Sequence, residues 1–367
     1  VTASHNPYKY NGIKYKAGFG GSALPEIISA IESRLGKSRT KSLTPEQALS
    51  QRLIEYFDPE EAYVAQLREL VDLRKIAAAG QKIVIDPMHG AGAGYIRKLL
   101  SEAGLEIIEV RGKYDPLFGG VNPEPIAENL QALSREVVNQ GALAGFATDG
   151  DADRVGAVDA HGEYVNSHII YALLLRYLVT ERKWTGGVVK TFSTSQMIDK
   201  LARKYGLKVF ETPIGFKYIC KLFLSEDILL GGEESGGLGF KNHIPERDGI
   251  LASLLLMEMM ATYNKPLHEI VEDLMQELGH HDYGRIDHHL SPELMGQTVP
   301  RLKANPPTTV AGIKVKEVLD LDGIKFVLED GSWILFRESG TEPMLRIYAE
   351  AGSRSAVNKL LSEGKKF

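Results

Sequence analysis

A chain of 367 residues with 43% hydrophobic and 25% charged residues has the makeup of a globular protein of about two to four domains. Its 43 basic and 48 acidic residues leave a net charge of −5, which argues against nucleic acid and against an anionic membrane as partners. No apolar run approaches the roughly 20 residues that cross a bilayer, no leader is visible, and the single cysteine, Cys220, excludes an internal disulfide and fits the reducing cytoplasm.

The chain opens with Val1-Thr2-Ala3-Ser4-His5-Asn6-Pro7. Proline biases Asn6 away from the helical region, so Ser4 is expected on a loop with its hydroxyl presented. On its own such a serine is most often a backbone-bonding turn residue. Asn11 to Lys16 alternates like a short strand and carries Lys14, and residues 24–35 and 45–73 read as helices. One short strand offers these helices no sheet to bury themselves against, so residues 1–75 read as an incomplete domain. In the second unit, 76–163, the predicted order is strand 82–86, a glycine-rich turn at 89–94, helix 95–103, strand 105–110, helix 125–140 and strand 143–148. This βαβαβ pattern predicts parallel strands. Asp149-Gly150-Asp151-Ala152-Asp153-Arg154 follows the last strand, where open α/β sheets bind ligands, and 155–159 resumes as a strand. Three carboxylates at alternate positions in such a loop can wrap one hard cation.

The third unit, 164–281, alternates helices at 169–177, 195–205 and 216–224 with strands at 187–191, 208–211 and 228–230. The loop Gly231 to Gly237 follows, and then amphipathic helices at 248–263 and 266–278. The fourth unit, 282–367, has strands at 309–320, 323–329, 332–337 and 344–350 with helices at 291–303 and 354–362, an α+β pattern. Within it, Arg337-Glu338-Ser339-Gly340-Thr341-Glu342-Pro343 reads as an anion-binding loop. Arginine offers a fork to phosphate, hydroxyls add donors, and glycine lets backbone N–H groups approach. A serine, a cation site and a phosphate-sized cradle together point to phosphoryl transfer.

T-A-S-H-N-P, D-G-D-A-D-R, G-E-E-S-G-G and R-E-S-G-T-E-P occur in that order over nearly the whole chain. The chain therefore resembles the α-D-phosphohexomutase superfamily, the phosphoglucomutase/phosphomannomutase enzymes. The resemblance implies an α/β protein: three mixed-sheet α/β/α domains, the first incomplete here, plus a C-terminal α+β domain around a central cleft. It implies an isomerase that interconverts hexose 1-phosphate and hexose 6-phosphate. Ser4 would carry the phosphate and, through it, join Asp149, Asp151 and Asp153 on Mg²⁺. Lys14, in the N-G-I-K segment, would be the general acid/base, Arg154 would bind a phosphoryl oxygen, and His5 would position the Ser4 loop. Glu233 and Ser235 would bind sugar hydroxyls, with Gly215 and Lys217 on a second sugar loop. Arg337, Ser339, Gly340 and Thr341, assisted by Arg346, would hold the non-reacting phosphate. The implied partners are small sugar phosphates, with glucose 1,6-bisphosphate as activator and intermediate. Mannose and glucosamine branches of the family usually have histidine where Gly237 stands, which favours glucose and leaves mannose possible.

Other readings of single features stand beside these. A lysine next to a cation site can have a lowered pKa, but Lys9 and Lys16 neighbour Lys14, and Lys190 is a weaker site candidate. An EF-hand is excluded because Arg154 and Ala160 stand where glycine and glutamate are required. His89 to Gly94 with Glu109 mimics a dinucleotide fingerprint, but its G-x-G-x-G spacing reads as a tight turn. His280, His281, His288 and His289 suggest zinc, but adjacent residues on a strand point to opposite faces, so they read as surface residues. For the whole chain, a metal-dependent phosphatase using Ser4 and a non-catalytic sugar-phosphate binder are the competing functions.

Overall fold

The computed structural model describes residues 1–38, 42–289, 296–338 and 344–367, and among the described residues the first segment of the chain carries helices but no strand. The strand expected at Asn11–Lys16 is reduced to a single bridge, Lys16 to Ser22, with isolated backbone bonds from the Thr2 N–H to Gly12 O and from the Ala23 N–H to Tyr15 O (both 3.0 Å) in place of a ladder. Helices α1 (Pro25–Glu32) and α2 (Pro45–Ser50) bury no residue. Helices α3 (Glu60–Leu70) and α4 (Leu73–Ala79) do, through Val64, Leu67, Leu70, Leu73 and Ile76. The single helix expected over 45–73 is thus broken. Pro59 disfavours helix at the residue before it, and Asp72 starts α4 afresh by accepting from the Lys75 N–H.

The second unit runs β1 (Ile83–Asp86), α5 (Tyr95–Glu102), β2 (Ile108–Glu109), α6 (Gln131–Gln140), β3 (Ala144–Thr148), β4 (Val155–Asp159) and β5 (Tyr164–Val165). Its sheet has the order β2-β1-β3-β4-β5. β1 is parallel to β2 and β3, as the βαβ pattern requires, and β4 and β5 run antiparallel. Helix α6 starts six residues later than expected, because Pro123 and Pro125 remove donors and hold the chain extended. Side chains alternate between two cores. Ile83 and Ile85 join α3, α4 and α5, while Val84 joins Leu130, Leu133 and Val137 on the α6 side.

The third unit contains α7 (Ser167–Thr180), β6 (Gly187–Thr191), α8 (Met197–Tyr205), β7 (Val209–Thr212), α9 (Phe216–Ser225), β8 (Ile228–Gly232), β9 (Leu238–Phe240), α10 (Gly249–Tyr263) and α11 (Leu267–Leu278). Its sheet order is β7-β6-β8-β9, with β6 parallel to β7 and β8 and β9 antiparallel. Helix α10 is buried from Gly249 to Met260, so it has no polar face where an amphipathic helix was expected, and its one buried charge, Glu258, accepts from Arg182 at 2.6 Å. The helix touches α4, β3, β4 and α7, so one core joins the second and third units.

The last unit is β10 (Asp282–His289), α12 (Thr298–Ala304), β11 (Thr309–Val310), β12 (Ile313–Leu319), β13 (Ile324–Leu328), β14 (Trp333–Glu338), β15 (Met344–Ala351) and α13 (Arg354–Gly364). Its antiparallel sheet has the order β10-β15-β14-β13-β12-β11. The strand expected at 309–320 is split by Ala311 and Gly312, both at positive φ. Of the helix expected at 291–303, residues 291–295 lie outside the described residues. Ile334 and Phe336 face α13, whereas Trp333 and Leu335 pack against Phe192 and Ile214 of the third unit.

Candidate active site

Thr148 and Val155 pair across β3 and β4, which makes 149–154 the connecting loop at one end of the sheet. Asp149 is fully buried, and its Oδ1 accepts from the backbone N–H groups of Asp153 (2.9 Å) and Arg154 (3.1 Å). Oxygens of Asp149, Asp151 and Asp153 all lie within 4.8 Å of one another. Burial, and then the charges of Asp153 and Asp151, push the Asp149 carboxyl up to about 8. For Asp151 burial pushes upward too, but Lys14 outweighs it, with Nζ 2.7 Å from Oδ2, and the net shift is downward. Oδ1 of Asp151 and Oδ1 of Asp153 are buried without a hydrogen-bond partner. Oxygen-only donors, mutual repulsion and orphaned lone pairs fit a hard divalent cation such as Mg²⁺.

Ser4 meets this loop from the other end of the chain. Its φ is 57°, and its Oγ donates to Asp149 Oδ2 at 3.3 Å. The Ser4 N–H donates to Thr2 Oγ1 (2.8 Å) and the Asn6 N–H to the Ala3 carbonyl (3.1 Å), which fixes the turn. Gly150 permits the approach, because a Cβ there would lie 2.5 Å from the Ser4 carbonyl oxygen. His5 Nδ1 is 3.4 Å from Ser4 Oγ, and Nε2 is 3.7 Å from Glu124 Oε1. Burial, and then Arg154, lower His5 to about 3, so the ring is neutral at physiological pH. Arg154 Nη1 is 3.7 Å from Glu124 Oε1, and its Nε is 3.8 Å from Asp149 Oδ2. Ser4, His5, Tyr10, Lys14, Arg154 and Arg247 line one cavity of about 470 Å³.

The 233–237 loop is stitched to the acidic loop by the backbone. The Val155 N–H donates to Gly236 O at 3.0 Å, and Arg154 bridges Gly237. Glu233 is buried, and Ser235 is half-buried beside it. Arg247, which sequence reasoning missed, joins the two loops: Nη2 donates to Asp153 Oδ2 (2.6 Å) and Nη1 to Glu233 Oε2 (3.2 Å). Burial opposes its charge, but Asp153 and Glu233 outweigh burial and hold the guanidinium protonated. Its side chain passes directly over Gly237, where a Cβ would lie 2.2 Å from Arg247 Cδ. The neighbouring Glu246 accepts from Lys16 and from Ser22 Oγ, and so ties the Ser4 segment to this loop. The signal in the sequence was the charged triplet Glu246-Arg247-Asp248 against the apolar run of α10, since charges placed there must be paired.

The other predicted residues are gathered elsewhere. Gly215, at φ 130°, precedes α9, and Lys217 is exposed with its Nζ 5.1 Å from the centre of the Tyr218 ring. Neither lines the Ser4 cavity. Arg337 and Arg346 stand opposite one another on β14 and β15. Like charges in that relation repel, and Asp322, which accepts from Arg337 Nε at 3.1 Å, offsets part of that repulsion. Ser339, Gly340 and Thr341 lie outside the described residues. Lys190 is buried against Asp199 (2.5 Å) and Glu211 (3.3 Å), and Lys16 is committed to Glu246. In the 89–94 turn, the Ala91 N–H donates to Gly150 O (3.0 Å) and the Gly94 N–H to Glu109 Oε2 (3.0 Å), so the turn buttresses the acidic loop. Among the described residues only the three aspartates group as metal ligands, and His281 instead pairs with Glu350.

Residues 1–42, 61–162 and 166–278 match alpha/beta/alpha domains I, II and III of phosphoglucomutase/phosphomannomutase, and 294–364 match its C-terminal domain. The chain belongs to the phosphoglucomutase/phosphomannomutase family. It is a phosphohexomutase, an isomerase of the α-D-phosphohexomutase superfamily, whose members depend on Mg²⁺. It is 30% identical to a phosphoglucomutase/phosphomannomutase of Thermococcus kodakarensis over all of this chain and 77% of that protein. It is 31% identical to a phosphoglucosamine/phosphogalactosamine mutase of Sulfurisphaera tokodaii, over all of this chain and 78% of that protein. A phosphoglucomutase of Komagataeibacter xylinus is 30% identical over 98% of this chain and 70% of its own length. Among solved structures, one from Thermus thermophilus described as a phosphomannomutase superposes with a TM-score of 0.85 at 36% identity, covering all of this chain and 76% of that one.

Proposed function

We propose that this phosphohexomutase interconverts hexose 1-phosphate and hexose 6-phosphate, with glucose preferred over mannose, through a phosphate carried on Ser4. The observation that carries the reading is the Ser4 Oγ 3.3 Å from Asp149, in one cavity with Lys14 and Arg154. A serine hydroxyl is a weak nucleophile at neutral pH, whereas a phosphoserine is already a phosphoryl donor. In the first half-reaction the P–Oγ bond breaks, a P–O bond forms to a sugar hydroxyl, and Lys14 takes that hydroxyl's proton. The product is glucose 1,6-bisphosphate. It turns over in the cleft, and its other phosphate returns to Ser4 by the reverse step. Arg154 faces the oxygens in transfer, and neutral His5 holds the Ser4 loop. Mg²⁺ on Asp149, Asp151, Asp153 and the Ser4 phosphate would supply neutralisation of the developing charge. Glu233 and Ser235 would take sugar hydroxyls, and Arg337 with Arg346 the resting phosphate, with Gly215 and Lys217 on the second sugar loop.

The glucose preference is supported by Gly237, since the space where other branches place histidine is crossed by Arg247. We assign the four units to 1–75, 76–163, 164–281 and 282–367, arranged around the cleft. Among the described residues no helix is long and apolar enough to cross a membrane. We place the enzyme in the cytoplasm, where a lone unpaired cysteine is at home.

The test is intact-protein mass with peptide mapping after incubation with glucose 1,6-bisphosphate and Mg²⁺. The expected result is one added phosphate on Ser4, lost to glucose 1-phosphate as glucose 6-phosphate appears. Ser4→Ala is expected to abolish turnover and keep sugar-phosphate binding. Steady release of inorganic phosphate would make the protein a phosphatase, and a Ser4 that never takes phosphate would leave it a binder.

A further inference from the structure

We propose that Asp322 is a positioning residue that ties Arg337 of the C-terminal sheet to the loop 213–217 of the third unit and so holds the guanidinium in place before substrate binds. The proposal rests on the reading of Arg337 as a phosphate ligand. Asp322 lies in the turn between β12 and β13. Both its carboxylate oxygens accept from Arg337 Nε, each at 3.1 Å, and Oδ2 also accepts from the Ile214 N–H at 2.9 Å. One side chain thus joins a guanidinium on one unit to the backbone of another.

The neighbouring packing holds Asp322 in that place. At Gly323, with φ 94°, a Cβ would lie 2.2 Å from the Phe336 carbonyl oxygen and 3.2 Å from Arg337 Cα. Glycine therefore lets the turn press on β14 beside Arg337. Ile214 packs with Phe192, Trp333, Leu335 and Tyr348, so Asp322 closes the polar rim of an apolar contact between the two units. Ile214 in turn precedes Gly215 and the start of α9, where Lys217 lies.

Charge and entropy supply the reason for a carboxylate here. Arg337 faces Arg346 across the strand pair, and Asp322 offsets that repulsion, whereas Asp287, the register partner of Arg346, has both carboxylate oxygens on Arg285. A charge-assisted bond at Nε restricts a long, flexible side chain before any ligand arrives. It leaves the Nη edge of the fork as the part that a phosphate takes.

The test uses the full chain and two readouts, amide hydrogen exchange at Ile214 and steady-state kinetics with glucose 1-phosphate. Asp322→Ala is expected to speed exchange at Ile214 by about tenfold and to raise KM by about tenfold, with kcat changed less than about threefold, as the loss of one charge-assisted bond would do. Asp322→Glu should restore both in part. Arg337→Ala, a change on the other unit, should also speed exchange at Ile214. This arm stands if Asp322→Ala fails to fold. Unchanged Ile214 exchange in Arg337→Ala, or an unchanged KM in a folded Asp322→Ala, overturns the proposal. Wild-type turnover is the control that separates a failure of this coupling from a failure of the functional reading.

Discussion

Arg247 reaches Asp153 and Glu233 only because nothing projects from Gly237. A Cβ 2.2 Å from Arg247 Cδ forces that side chain to swing away and breaks both ion pairs. Gly237→His is therefore expected to lower kcat/KM for glucose 1-phosphate by about tenfold or more and to narrow the gap to mannose 1-phosphate, since each lost bond to a charged group is worth about 1.5–3 kcal/mol. An unchanged ratio of the two sugars would separate Gly237 from specificity. The cation site makes a second residue-level demand. With Mg²⁺ on the three aspartates as proposed, Asp151→Asn would remove one of three hard ligands, and a loss of Mg²⁺ affinity of about a hundredfold is expected by calorimetry. Equal affinity in the variant would place the metal elsewhere.

Helix α10 shows what one capping residue can hold at the level of an element. Asp248 Oδ1 accepts from the Leu251 N–H at 2.8 Å, and its carboxylate also accepts from Tyr63 Oη (2.9 and 3.0 Å) and pairs with His243 Nε2 (2.9 Å). Burial, and then the Asp248 charge, push the Tyr63 hydroxyl far above its ordinary pKa, so it remains a donor. Asp248→Ala removes a cap and strands a buried hydroxyl, which together cost about 3 kcal/mol in urea unfolding. A loss below about 1 kcal/mol would show that α10 is held by its apolar faces alone. The helix itself was legible, but as an amphipathic one; burial from Gly249 to Met260 leaves it no polar face. Strands β5 and β9 were not legible, because two or three residues are too few to show a period of two.

Across the whole molecule, the C-terminal sheet is seated on the third unit through a buried charge. Lys325 is 4% exposed, with Nζ 4.1 Å from the centre of the Phe192 ring, 4.8 Å from that of Trp333 and 3.6 Å from Glu211. Burial lowers its pKa to about 8, against the pull of Glu211. Between about pH 8 and its ordinary value near 10.4, the unfolded chain binds a proton that the folded chain does not, so stability rises with pH through that window. Below it the full cost is present, about 3 kcal/mol at most. Lys325→Met should remove this dependence, so the difference in unfolding free energy between variant and wild type should shrink from about pH 7.5 to about pH 10.5. A constant difference would mean that Lys325 is not buried as a charge.

The chemistry of single loops was legible in the chain itself. Carboxylates at alternate positions in a short loop converge wherever that loop lies, and Asn6-Pro7 bends the chain beside Ser4 by its own sterics. Partners far apart in sequence were not legible. Arg247 lies 94 residues from Asp153, and Asp322 lies 108 from Ile214. Nothing local pairs them. Lys190 illustrates the same limit: a strand-end lysine reads as a ligand, yet it is consumed by Asp199 and Glu211 once β6, α8 and β7 come together. The sequence by itself determined that three carboxylates converge in one loop, because that property belongs to residue types at short spacing. The tertiary structure alone decided which charges remain for a ligand, because ion pairs form between whatever neighbours the sheets and cores bring within reach.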